Sequence, residues 1–98
     1  MPRYVVQAAE HIDETKPVID AAHAIGSLVA TRLAAGDNVV IALRGVRGVS
    51  SSFFNVVIAA AFDVIGKAIG SERLLVETDN RTQREVFERS LTAFMNRS

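Results

Sequence analysis

The stretch Val39-Val40-Ile41-Ala42-Leu43-Arg44-Gly45-Val46-Arg47-Gly48-Val49-Ser50-Ser51-Ser52-Phe53-Phe54-Asn55 decides how the chain is read. Five consecutive apolar residues, 39–43, between turn-forming neighbours predict a strand buried on both faces, the kind a parallel sheet contains. Residues 44–48 follow as a loop, where Gly45 and Gly48 can take positive φ. Three serines come next, and any of their hydroxyls can accept from the free N–H groups that open a helix. That helix is predicted over 51–69. Asn55, Ala59, Asp63 and Lys67 recur at i, i+4 as one narrow stripe, and nearly every other position is apolar. A surface helix ordinarily buries about a third of its circumference. This one therefore offers more apolar surface than one sheet face covers. Two arrangements satisfy it: a central helix flanked by two others, or a face near Phe54, Val57 and Ala61 that packs on another chain.

Outward from this centre the pattern alternates. Upstream, residues 4–8 are β-rich and predict a first strand at a sheet edge. A polar connection, 11–16, leads to a helix over 16–35, in which Val18, Ala22, Ile25, Val29 and Leu33 fall at helical spacing. Thr15 is a candidate cap with Pro17 in the first turn, and Asp20 is a rival. Gly26 inside this helix either counts against it or marks a close approach to a neighbour, and Gly36 supplies the C-terminal stop. Downstream, Gly70-Ser71 breaks the central helix, residues 73–78 predict a third strand, and Asp79-Asn80 form a turn and cap. Thr82 with Glu85 offers a capping box for a last helix over 81–96, with Val86, Phe87, Leu91, Phe94 and Met95 on one face. The order is β-α-β-α-β-α, which predicts a small α/β domain with a mostly parallel sheet and helices packed on it.

The totals agree with one globular domain spanning residues 1–98. Of the 98 residues, 49% are apolar and 22% charged, and eleven basic residues balance eleven acidic ones. A neutral chain has no general electrostatic pull towards nucleic acid or an anionic membrane. The absence of cysteine excludes disulfides, thiolate catalysis and cysteine-based zinc sites. Met-Pro-Arg-Tyr-Val-Val has no apolar core of a signal sequence behind it, and the run 53–69 is interrupted by Asn55, Asp63, Gly66 and Lys67, so the expectation is a cytoplasmic protein outside the membrane.

The run 39–55 resembles STAS-like domains, relatives of the anti-sigma factor antagonists. It is most similar to a bacterial STAS-like branch in which Ser-Ser-Phe stands where Asp-Ser-Thr-Gly is usual. The resemblance extends through Leu74–Thr78 and Asn80–Phe87 and covers residues 34–95; the N-terminal third matches only in element order. It implies a non-enzymatic regulatory switch. In antagonist members a serine at this helix start is phosphorylated by a partner kinase, and the unmodified domain binds that kinase. By position the modified serine falls on Ser51, with Ser50 in place of the acidic residue and Ser52 in place of the threonine. The acidic residue is absent and the small glycine is Phe53, so a kinase that requires either would reject this loop. The implied partner is a protein, a histidine-kinase-like ATPase or a serine kinase.

The residues carry a reading of their own. Helix-start N–H groups bear partial positive charge, and Arg44 and Arg47 lie just upstream, so a phosphate, a carboxylate or a phosphoserine made in place would be held there. The bland alternative is that the serines cap, the glycines turn and the arginines are solvated. The candidate contact set is Arg44, Arg47, Ser51, Ser52, Phe54, Asn55 and Val57, with Ser50, Ser51 and Ser52 as modification candidates. Two other functions compete: a domain that binds a small anion at Arg44, Arg47 and Ser51, and a self-assembling subunit, such as a homodimer, that uses the apolar helix or the first strand as an edge. Gly45-Val46-Arg47-Gly48 matches neither the P-loop nor the dinucleotide spacing. His11 and His23 lie in no ligand cluster with Asp13, Glu14 or Asp20. With no cysteine, no paired carboxylates and no nucleophile elbow, neither catalysis, a metal nor a cofactor is expected. Glu85 and Glu88 interrupt Arg81, Arg84 and Arg89, which reads as a solvated, ion-paired face.

Overall fold

A computed structural model describes residues 2–96. The elements are β1 (Arg3–Gln7), α1 (Val18–Ala34), β2 (Asn38–Ala42), α2 (Ser51–Ile65), β3 (Leu74–Glu77) and α3 (Arg81–Met95), with short 3-10 segments at Ala8–His11 and Gly66–Gly70. The three strands form one parallel sheet in the order β1-β2-β3. The fold is therefore the α/β, β-α-β-α-β-α arrangement expected from the pattern, with β1 at an edge. In such an order, right-handed crossovers put successive helices on one face, and α1 and α2 are the most closely packed helix pair here.

Alternation along the strands separates two faces. Val6, Val39, Ile41 and Leu74 join the core beneath the helices, whereas Val5, Val40 and Leu75 point the other way. All four residues from Val39 to Ala42 are buried. The helical layer covers only one of their faces; on the other, Val40 is sheltered by the flanking strands.

α2 is the central helix. It contacts both α1 and α3, and Phe53, Phe54, Val57, Ile58 and Ala61 are buried along it. Phe54 meets Phe53 and Phe87 edge to face, with ring centroids 5.5 and 5.4 Å apart. Gly26 of α1 makes the close approach possible: a Cβ there would lie 3.2 Å from the Ala60 Cβ. Of the predicted stripe, Asn55 and Asp63 are exposed on α2, Ala59 is half-buried against the core, and Lys67 is exposed but lies past the end of α2 in the 3-10 segment. The 20-residue stretch Ser51–Gly70 has the length and hydropathy of a membrane span, but its largest side chains form the core of this globule.

Several boundaries and caps differ from expectation. Ala8 belongs to a 3-10 turn rather than to β1. α1 begins at Val18 after Pro17, without a side-chain cap. Thr15 does not cap it, because its hydroxyl and N–H both donate to Asp13 Oδ1, at 2.7 and 2.9 Å. Those two bonds, the hydroxyl's first, hold the Asp13 carboxyl below its usual range. Asp20 lies inside the first turn and is no cap either. α2 stops four residues early because Gly66 takes φ 57° and redirects the chain into the 3-10 segment. Asn80 caps α3 by accepting from the Gln83 N–H at 3.0 Å. The Thr82–Glu85 box is not formed, since Glu85 pairs with Arg81 at 3.2 Å instead.

Candidate functional site

The carboxyl ends of parallel strands and the amino ends of the helices that follow them meet along one edge of a sheet, where open α/β folds bind their ligands. Here that edge is built by the loop from β2 to α2. Leu43 closes a turn by accepting from the Val46 N–H at 3.0 Å. Gly45 sits in it at φ 82°, the value a type II turn requires at its third residue. Gly48, at φ 57°, makes the second bend. Any other residue at these two positions would be strained.

Of the three serines, Ser50 is the cap: its Oγ accepts from the Phe53 N–H at 3.4 Å. Ser51 and Ser52 are the first two helical residues, and both are exposed. Among the described residues, nothing bonds to their hydroxyls, which project from the first turn into solvent. Phe53 and Phe54 behind them are buried, so the first turn is held by the core while its leading hydroxyls stay free.

A polar network fixes the loop from the side of α3. Asn80 N–H donates to Thr78 Oγ1 at 3.0 Å, and the Thr78 hydroxyl donates to Gln83 Oε1 at 2.6 Å. Gln83 Nε2 then donates to the Val46 carbonyl at 2.9 Å, across 37 residues of chain. Gln83 is buried and both ends of its amide are satisfied, so it serves as a strut between α3 and the loop. The sequence reading did not single it out. Its one signal was a polar residue in the first turn of α3 on the face that carries Phe87.

Two concavities flank the loop. One, of about 350 Å³, is polar and lies between β2 and β3, lined among others by Arg44, Glu77, Thr78, Asp79 and Gln83. The other, of about 600 Å³, lies towards α1, with Ile12, Glu14, Val18, Arg47 and Val49 in its wall. The structure thus sends Arg44 and Arg47 to opposite sides of the loop, and the three serines line neither concavity. Both arginines are exposed and unpaired among the described residues. They do not converge with Ser51 on one anion cradle, and Glu77 and Asp79 add negative charge to the Arg44 side.

The contact set proposed from sequence divides accordingly. Arg44, Arg47, Ser51, Ser52 and Asn55 are at the surface. Phe54 and Val57 are not: both are 0% exposed. With Ala61 they face the interior because α1 and α3 flank α2, so the face once open to another chain is filled by this one. His11 and His23 are exposed, and among the described residues no group of three or more His, Asp or Glu side chains is placed to hold a metal. No family model, curated protein or solved structure matches the chain.

Proposed function

We propose that this domain is a regulatory protein-interaction module that presents the β2–α2 loop and the first turn of α2 to a protein partner. One observation carries the reading: among the described residues nothing bonds to the exposed hydroxyls of Ser51 and Ser52, which stand on a helix start anchored from behind by Phe53 and Phe54 and preceded by a loop that Gln83 ties to α3. Such a surface is rigid where it must be recognised and free where it must be touched or modified, which lowers the ordering cost of binding. Arg44 and Arg47, on opposite sides of the loop, have no ion-pair partner among the described residues and supply positive charge for an acidic partner surface. The resemblance to STAS-like domains adds the class of partner, a histidine-kinase-like ATPase or a serine kinase, and serine phosphorylation as the switch.

The test is capture of the tagged protein from its own cells, with mass spectrometry of the partners and of the peptide containing Ser50–Ser52. An ATPase or kinase that co-purifies with the native protein and is lost with Ser51→Asp supports the reading. An eluate that holds only this chain, with unmodified serines, removes it.

A further inference from the structure

The face of the sheet opposite the helices is not covered by any described element. We infer that this face packs against the same face of a second copy of this chain. Purely parallel sheets occur almost only with both faces covered. Here Val5, Val40 and Leu75 stand in register across the three strands on the uncovered side. Val40 is 7% exposed, but Val5 and Leu75 are 43% and 41% exposed.

The charges on the face identify its occupant. By strand alternation Arg3 shares the side of Val5, and Glu77 shares that of Leu75. Arg3 opens β1 and Glu77 closes β3, so they occupy diagonally opposite corners. Both are exposed, and neither side chain has an ion pair or hydrogen bond among the described residues. With strands about 4.8 Å apart and a rise of about 3.3 Å per residue, the two corners are about 16 Å apart along the diagonal. A two-fold axis in the interface, over Val40 and perpendicular to that diagonal, sets Arg3 of each copy over Glu77 of the other. The same operation stacks Val40 on Val40, surrounds it with Val5 and Leu75 of both copies, and crosses the strands at about 70°, near the orthogonal class of sheet packing. A partner of uniform charge satisfies one corner and repels the other; a second copy satisfies both. Strands of five, five and four residues give a footprint of about 220 Å² per copy, small against the roughly 800 Å² per partner of stable complexes. The dimer is therefore weak and concentration-dependent. The proposed partner surface is the β2–α2 loop and the start of α2; the two surfaces share only Glu77, which also borders the concavity beside Arg44, and Arg3→Glu tests the dimer without touching that edge.

Sedimentation velocity at low salt, over protein concentrations from about 10 μM to about 1 mM, tests it. The native chain is expected to shift towards twice its monomer mass. Arg3→Glu alone and Glu77→Arg alone, both at exposed positions, should each weaken association at least about tenfold, because each sets like charges together twice. Mixing these two single variants in equal amounts should restore association, since every corner contact is then between opposite charges. A native chain that stays monomeric throughout, or a mixture that associates no better than its components, overturns the proposal.

Discussion

The first turn of α2 and the two turns behind it are the same helix put to opposite uses. Ser51 and Ser52 are exposed, their hydroxyls without a partner among the described residues, whereas Phe53, Phe54, Val57 and Ile58 are buried. Sequence spacing treats the two regions as one continuous motif. Their difference arises from what packs against each: α1 and α3 cover the apolar side of the helix, whereas Ser51 and Ser52 are left at the surface. A surface that must be recognised without moving benefits from this division, because the apolar turns anchor the polar one.

That contrast can be broken most severely from the buried side. Phe54→Ala removes a ring packed against Phe53 and Phe87 and should cost about 3–5 kcal/mol, a large part of the stability of a domain this size. Urea unfolding should show a fall in midpoint to match; an effect below about 1 kcal/mol would mean that the helix is not held as described. Next in size is the strut. Gln83→Ala leaves the Val46 carbonyl and the Thr78 hydroxyl without their partner and should cost about 1–3 kcal/mol. Amide hydrogen exchange should then quicken at residues 44–49 more than in α1, whereas uniform quickening would assign Gln83 to the general core. The smallest effect sharpens the contrast among the serines themselves. Ser50→Ala should lose about 1 kcal/mol as a cap, while Ser51→Ala should stay within about 0.5 kcal/mol in thermal melts. An equal loss at Ser51 would make it a second cap and remove the reason for its exposure.

Much of this was legible along the chain. The order of six elements, the edge position of β1, the exposed Asn55 and Asp63 of α2 and the close approach at Gly26 follow from residue periodicity and glycine placement, which act over a few neighbours. The misplaced caps at Thr15 and Thr82 have local causes too, but each involves a competitor: Asp13 takes the Thr15 donors, and Arg81 takes Glu85. Of the site, the turn glycines and a serine cap were readable, because positive φ and capping are properties of adjacent residues; that Ser50 is the cap and Ser51 and Ser52 are left exposed came from the structure.

What the amino-acid order determined by itself is the set of elements and which face of each is apolar, since both follow from backbone geometry and side-chain chemistry within a few residues. What only the tertiary structure decided is what each face meets. Phe54 and Val57 turned inward because α1 and α3 flank α2. Arg44 and Arg47 parted because a turn with Gly45 at positive φ sends them to opposite sides of the loop. Val5, Val40 and Leu75 came into line because three segments dozens of residues apart pair in one register. Contacts between distant segments depend on how whole elements pack, and local periodicity does not encode that.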